Sequence, residues 1–284
     1  MSFVLSDARL LVMLEEDVPY GDITTAGLGI GEARGRATFR ARTTMTIACI
    51  EEAERLMQLA GCPATHRLAF SGAQVEAGAE LLRAEGEAAA LHRGFKLAQS
   101  LMEIASGIAT GARAVLCAAR SGRPGVAVAC TRKHLPGAKE VMLRAITAGG
   151  CLPHRLGLSD SLLVFPQHRV FLGRQPPHLW VARLRAAQLE RKIVVEADSV
   201  DAALQFAHAG VDTLQLDKLP PEDVAAVMRA LADMPRRPLI AATGGITEAN
   251  AGHYAAAGAD LLVTSAPYAA PPADIEVALS PLGG

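Results

Sequence analysis

Between residues 131 and 160, four cationic or imidazole side chains lie beside glycine-containing turns: Arg132 and Lys133 in Thr-Arg-Lys-His-Leu-Pro-Gly, then His154 and Arg155 in Gly-Gly-Cys-Leu-Pro-His-Arg-Leu-Gly-Leu-Ser-Asp. Each pair follows an apolar run or a turn, so the four can converge at the mouth of one site. Guanidinium, ammonium and imidazole groups together suit phosphate or carboxylate, which a guanidinium meets with two parallel hydrogen bonds. Glu196 and Asp217 add a second chemistry. They are the acids at strand ends in the second half of the chain, one helix apart. On adjacent strands they would reach one hard cation, with sugar hydroxyls or a pyrophosphate completing its oxygen shell. Plainer readings stand beside these: an acid can cap a loop or pair with a base, a histidine can be satisfied by backbone, and an arginine can be solvated.

A third candidate is Thr243-Gly244-Gly245-Ile246-Thr247. Glycines let backbone N–H groups approach an anion, and Thr247 caps a following helix whose N-terminus favours negative charge. The same residues can be no more than a tight strand-to-helix turn. Thr264-Ser265-Ala266, after the next strand, favours a phosphate cup shared by the two loops.

Positioning these groups falls to an alternation that begins after Ser121-Gly122-Arg123-Pro124-Gly125. Short apolar runs at 126–130, 161–165, 192–196, 213–217, 239–243 and 261–264 read as strands. Helical patterns read at about 139–148, 179–191, 200–208, 221–232 and 248–257, with Ser199, Pro220 and Thr247 as starts and Gly210 and Gly258 as stops. Such an alternation predicts a parallel sheet, either an α/β barrel or a doubly wound layer. Polar residues decide between them, because nearly every strand ends in one: Arg132 and Lys133, Gln167 and His168, Glu196, Asp217, Thr243, Thr264 and Ser265. Barrel enzymes distribute their chemistry over that C-terminal rim, whereas a doubly wound sheet gathers it in one crevice, so the barrel is the expectation. Upstream, helices near 6–16, 50–60 and 95–119 and a strand near 35–41 suggest an α+β module.

Composition narrows the function further. A chain of 284 residues, half of them hydrophobic, fills one large domain or two ordinary ones, and a formal net charge of -1 offers no basic field for nucleic acid. Five scattered cysteines form no C-x-x-C pair, which speaks against a zinc site or disulfide framework and for reduced thiols in a cytoplasm. Acidic residues interrupt the N-terminal apolar run, against a signal peptide, and no uninterrupted apolar stretch of about 18 residues reads as a membrane span.

These motifs, in this order and over nearly the whole length, resemble the quinolinate (nicotinate-nucleotide) phosphoribosyltransferase family. The resemblance rests on Glu16-Asp17-Val18-Pro19-Tyr20-Gly21-Asp22-Ile23-Thr24-Thr25, Ser106-Gly107-Ile108-Ala109-Thr110, Thr131-Arg132-Lys133 with Pro136-Gly137, His154-Arg155 with Gly157-Leu158-Ser159-Asp160, Leu216-Asp217 and Gly244-Gly245-Ile246. It implies an N-terminal α+β sandwich (1–115, with 269–284 possibly returning to it) and an open α/β barrel of the type II phosphoribosyltransferase kind (116–268). It also implies a homodimer whose active site is shared between subunits, phosphoribosyl pyrophosphate as co-substrate, and Mg2+. Carried over residue by residue, it makes Lys133, His168, Glu196 and Asp217 catalytic, with the two acids holding the metal. Lys96, Arg132, His154, Arg155 and Phe165 would bind the acceptor, and Thr243, Gly244, Gly245, Ile246, Thr264, Ser265 and Ala266 the 5-phosphate.

Departures matter as much. The family's Lys-Asp-Asn-His reads Phe165-Pro166-Gln167-His168, an arginine near the start of the long helix is Lys96, and an acid before the glycine turn is Ala241. Losing one lysine contact to a carboxylate should weaken binding about ten-fold or more, and Phe165 offers an apolar wall instead. Phe-Pro-Gln-His together with Thr264-Ser265-Ala266-Pro267-Tyr268 is most similar to the ModD branch, pyrophosphorylases associated with molybdenum-uptake genes. The expected function is transfer of phosphoribose to a nitrogen of a heteroaromatic, carboxylated acceptor with release of pyrophosphate, the work of a pentosyl-class glycosyltransferase. Two alternatives remain at this point: a quinolinate phosphoribosyltransferase of NAD synthesis, and a catalytically silent protein that binds a nucleotide or oxyanion.

Overall fold

The alternation downstream of residue 120 forms a sheet whose first strand pairs with its last. In the computed structural model, which describes residues 4–282, seven strands lie in the order Leu152–Pro153, Ala127–Cys130, Leu261–Thr264, Leu239–Thr243, Thr213–Asp217, Ile193–Ala197 and Leu162–Val164. Every neighbouring pair is parallel. Pairing of Ala127–Cys130 with Leu261–Thr264 curls the sheet into a half-barrel, left open between Leu152–Pro153 and Leu162–Val164. A doubly wound layer has no pairing of first strand with last, so the expected barrel is what forms.

Alternation along each strand decides what faces inward. Ile193, Val195 and Ala197, then Leu214 and Leu216, then Ile240 and Ala242 are buried on the outer face beneath helices that contribute Ala203, Phe206, Val224, Val227, Ala251 and Ala255. Burying each such Val, Leu, Ile or Phe side chain contributes roughly 1.5–3 kcal/mol. The inner face is therefore free for function. Register sets Gln215 between Glu196 and Ala241, and Asp217 beside Thr243. Helix starts are chemically marked: the Ser199 hydroxyl accepts from the Ala202 N–H (3.2 Å), and Pro221 occupies the first turn of the helix Pro221–Ala230.

The chain divides into two compact units. One runs to Arg113 and takes in His134–Gly150 and the segment from Tyr268 onward; the other comprises Ala114–Lys133 and Cys151–Pro267. The segment with the helix Lys139–Ala148, read in the sequence as part of the barrel alternation, thus groups with the first unit. Within that unit, Arg144 bonds Glu51 and Glu52 on the helix Ile50–Leu59 (2.8 and 3.0 Å). The unit's own sheet is antiparallel, ordered Ile275–Pro281, Arg34–Ala41, Glu80–Glu87, Ala64–Arg67. Phe39, Leu56, Met57, Leu81 and Leu82 are fully buried beside it.

A single helix, Ala88–Gly122, spans 35 residues, and it is long and apolar enough by composition to cross a membrane. More than half of its apolar window (56%) is buried inside the protein, the burial of a core helix. It starts at Ala88, ahead of the expected 95, because Ala88-Ala89-Ala90-Leu91 are strong helix formers without polar periodicity. Gly107 does not break it. A Cβ there would stand 2.1 Å from the Pro271 carbonyl oxygen, so the glycine admits the C-terminal segment against the helix.

Candidate active site

Inward-facing side chains at the C-terminal strand ends enclose one cavity of about 290 Å3. Arg132 and Lys133 leave the strand Ala127–Cys130, while His154 and Arg155 follow Leu152–Pro153. Phe165, Glu196, Asp217 and Thr243 complete the sequence-expected lining, and Leu163, Gln215, Val263 and Thr131 fill the remainder.

On the cationic wall, Arg155 is buried at 8% exposure. Its Nη2 donates to the Ser161 carbonyl (2.7 Å) and the Leu158 carbonyl (3.3 Å), while Nε and Nη1 are buried without a partner. Burial first, then the Arg132 charge, push its pKa down; only Asp160 acts the other way. Unpartnered guanidinium nitrogens at a desolvated position are costly, and an anion is the group that satisfies them. Burial, followed by the Arg155 charge, also holds His154 below the usual imidazole range, so it is neutral at pH 7. The His154 N–H donates to the Cys130 carbonyl (2.9 Å), which fixes the open-edge loop against the strand that carries Arg132 and Lys133.

The acidic wall faces these groups. Burial, then the Asp217 charge, raise the Glu196 pKa, with a Gln215 hydrogen bond and Arg169 opposing. Gln215 Nε2 donates to Glu196 Oε2 at 2.9 Å. Arg169 Nη1 donates to the Glu196 carbonyl at 2.6 Å, and its guanidinium lies 5.0 Å from the Phe206 ring centroid. Among the described residues no cluster of three or more His, Cys, Asp or Glu could hold a metal by itself. Glu196 and Asp217, with the Asp217 charge disfavouring ionised Glu196, nevertheless suit Mg2+, which commonly takes one or two protein carboxylates and fills its octahedron with water and substrate oxygens.

Two loops flank the acids. Gly244 and Gly245 adopt left-handed φ of +89° and +74°, and a Cβ on Gly244 would stand 2.6 Å from Lys218 Cγ and 3.0 Å from Asp217 Oδ1. Glycine is thus required for the turn to lie against the Asp217-Lys218 strand end. Lys218 itself is left-handed (φ 58°), and its N–H donates to the Thr243 carbonyl at 2.8 Å. Thr264 Oγ1 donates to the Ile246 carbonyl (2.6 Å) and accepts from the Ala266 N–H (3.0 Å), lashing the two loops together. Ile246 is buried and Ser265 and Ala266 half-buried, so an anion at these loops would meet backbone N–H groups and the Ser265 hydroxyl. The Asn250 side chain accepts from the Thr247 N–H (2.8 Å), fixing the start of the next helix.

Not every expected residue joins the cavity. His168 stacks on Phe165 (centroids 5.7 Å apart), and its Nδ1 accepts from the Phe165 N–H at 3.1 Å. It borders a neighbouring apolar hollow with Leu172, Trp180 and Leu184. Lys96 belongs to the first unit, where Nζ donates to Gln99 at 3.3 Å. Gln215, Arg169 and Lys218 escaped sequence reasoning, since their roles follow from register and backbone geometry and from no motif.

Comparison with known proteins agrees with this architecture. Residues 22–106 match the quinolinate phosphoribosyl transferase N-terminal domain and residues 108–278 the C-terminal domain. A Rhodobacter capsulatus protein named as the pyrophosphorylase ModD is 51% identical over 249 residues, covering 88% of this chain and 95% of its own length. A Methanothermobacter thermautotrophicus protein named as a carboxylating nicotinate-nucleotide pyrophosphorylase is 31% identical, with 88% and 90% covered. NadC from Streptococcus pyogenes superposes with a TM-score of 0.90 at 23% identity over 99% of both chains, a likeness of fold. The chain belongs to the quinolinate phosphoribosyl transferase family, and it is an enzyme of the phosphoribosyltransferase class.

Proposed function

We propose that this enzyme transfers the 5-phosphoribosyl group of phosphoribosyl pyrophosphate to a ring nitrogen of a carboxylated heteroaromatic acceptor. The observation that carries this reading is a single cavity with opposed walls: a buried arginine with two unpartnered nitrogens beside Arg132, Lys133 and a neutral His154, facing Glu196 and Asp217. The acceptor nitrogen's lone pair forms the new bond to the anomeric carbon as the bond to pyrophosphate breaks, and that electron pair departs with pyrophosphate. Positive charge grows on the sugar in between. Glu196 and Asp217, which line the same cavity, would stabilise it, and preorganised charges of this kind are a large part of catalytic power.

Arg132, His154 and Arg155 hold the acceptor carboxylate, Phe165 lies along the ring, and Lys133 meets the leaving pyrophosphate. Backbone N–H groups at 244–247 and 264–266 hold the 5-phosphate. Mg2+, held through Glu196 and Asp217, would supply charge neutralisation for the pyrophosphate. A homodimer in the cytoplasm, with Lys96 of the partner subunit completing each site, is the assembly this reading takes; the five free cysteines suit a reducing compartment.

Pyrophosphate release tests the proposal, with phosphoribosyl pyrophosphate and Mg2+ against quinolinate, other pyridine and pyrimidine carboxylates, and a no-acceptor control. Release should depend on an acceptor, vanish with EDTA and, in Arg132→Ala, show an acceptor KM raised about ten-fold or more at unchanged melting temperature. CO2 release with quinolinate would identify the NAD-pathway reaction. Ligand-dependent thermal stabilisation without pyrophosphate from any acceptor would overturn transfer in favour of binding alone.

A further inference from the structure

Gln215 is buried at 5% exposure on the inner face of the strand Thr213–Asp217, in register with Glu196 on one side and Ala241 on the other. Its Nε2 donates to Glu196 Oε2 at 2.9 Å. A carboxylate only accepts, so the amide nitrogen has to face Glu196 and the amide oxygen has to face away. That oxygen, Oε1, is buried without a partner. A buried acceptor left without a partner is costly, and a half-satisfied polar group in a core is worse for folding than an apolar one of the same shape. On stability alone, methionine or leucine would serve this position better.

What the amide does provide is orientation. The Glu196 backbone is held at its carbonyl by Arg169 (2.6 Å), and the side-chain hydrogen bond to its carboxylate comes from Gln215. With Oε2 engaged by Gln215, Oε1 is the oxygen left for a cation. Ala241, the other neighbour of Gln215 in register, has no polar atom with which to share this task.

We propose that Gln215 is a positioning residue for the acidic wall, fixing the Glu196 carboxylate in the orientation that takes up divalent metal with phosphoribosyl pyrophosphate, at the expense of fold stability. This rests on the metal-dependent transfer reading above. Groups that orient a metal-ligating side chain typically change metal affinity or activity roughly 10- to 100-fold when removed.

The test compares wild type with Gln215→Met, close in volume, and Gln215→Leu. Mn2+ binding in the presence of phosphoribosyl pyrophosphate is measured by electron paramagnetic resonance, alongside the melting temperature and the Mg2+ concentration for half-maximal pyrophosphate release. Expected are a roughly 10- to 100-fold weaker Mn2+ affinity and a matching rise in the Mg2+ requirement. The acceptor KM should stay the same and the melting temperature equal or higher. Wild-type metal affinity in both variants overturns the proposal. So does a melting temperature several degrees lower with metal binding intact, which marks a structural filler, and so does a wild type that binds no Mn2+. If Mn2+ binding weakens in the Gln215 variants yet wild type releases no pyrophosphate, the transfer reaction fails and the positioning role stands.

Discussion

At the start of the strand Leu239–Thr243, Arg237 closes on Asp260 with two hydrogen bonds (2.8 and 3.2 Å), and Asp260 also accepts from the Ile240 N–H (2.9 Å). Asp212 repeats the arrangement one strand away, accepting from the Ile193 N–H (2.8 Å) and from Arg185 (3.2 Å). At the other end of the same sheet, Arg155 is buried with two nitrogens unpartnered, Gln215 hides an unpaired oxygen, and Glu196 is forced against Asp217. Charges are matched where strands begin and left mismatched where they end. A cleft of about 600 Å3 opens beside the strand starts, twice the 290 Å3 of the candidate site, yet the two arginines most enclosed in it already have carboxylate partners. Unsatisfied groups, more than volume, mark the end that awaits a ligand, in keeping with barrels that put chemistry at the C-terminal face and stability at the N-terminal one.

The largest effect should come from removing a mismatched charge at the strand ends. In the proposed reaction Glu196 and Asp217 stabilise the developing positive charge, so Asp217→Asn should lower kcat/KM for phosphoribosyl pyrophosphate roughly 100- to 1,000-fold. Stability should hold or rise, because the Asp217 charge is part of what disfavours ionised Glu196. Thermal melts and steady-state kinetics on one preparation decide it: activity within a few-fold of wild type would remove the distinction between the two ends.

The converse change belongs at the strand starts. Asp260→Ala strands Arg237 and the Ile240 N–H, and should lower unfolding free energy by about 2–4 kcal/mol in urea titrations while kcat/KM stays within about two-fold. Burial alone would raise the Asp260 pKa, but the Arg237 bond, the Ile240 N–H and the charges of Arg237 and Arg123 more than reverse this, so the carboxyl titrates below its ordinary value. A lowered carboxyl pKa stabilises the fold above the unfolded-state value, near 4, and that stabilisation disappears as pH falls through the folded one. The variant should lack this part of the acid sensitivity. A loss of activity matching the loss of stability would show that the two ends are not separable.

Much of this contrast was legible in the residues. Apolar runs placed six strands of the parallel sheet to within a residue or two, whereas Glu80–Glu87 and Ile275–Pro281 of the antiparallel sheet were not anticipated, and the helix Val200–His208 falls where its Ser199 cap and Gly210 stop indicate. Arg132, Lys133, His154, Arg155, Phe165, Glu196, Asp217 and Thr243 meet in one cavity because parallel strands deliver their ends to one rim. Leu152–Pro153 escaped notice, since a two-residue strand has no periodicity to detect. The helix Pro177–Ala187 stops short of the expected 191 because its last turn gives way at Gln188 to a tight loop. Gln215 looked like an ordinary strand residue: only the register that sets it beside Glu196 reveals its work. The left-handed Lys218 and the capture of His168 by the Phe165 N–H are backbone events that side-chain identity does not announce.

The smallest effect concerns His154, where the comparison can be sharpened within the cationic wall itself. Burial, then Arg155, lower its pKa from an ordinary value of 6.5. As pH falls through that value the unfolded chain takes up a proton that folded His154 still refuses, so stability declines until the lower folded value is passed; above it the fold carries no penalty. His154→Gln should therefore lose less stability than wild type between about pH 7 and 5. In proton NMR the imidazole assigned through that variant should titrate below 6.5, and Arg155→Met, which removes the second cause and leaves burial, should move the midpoint upward. A wild-type midpoint at or above the ordinary value would mean that the cationic wall carries compensating anions of its own, and the contrast between paired strand starts and unpaired strand ends would then rest on the acids alone.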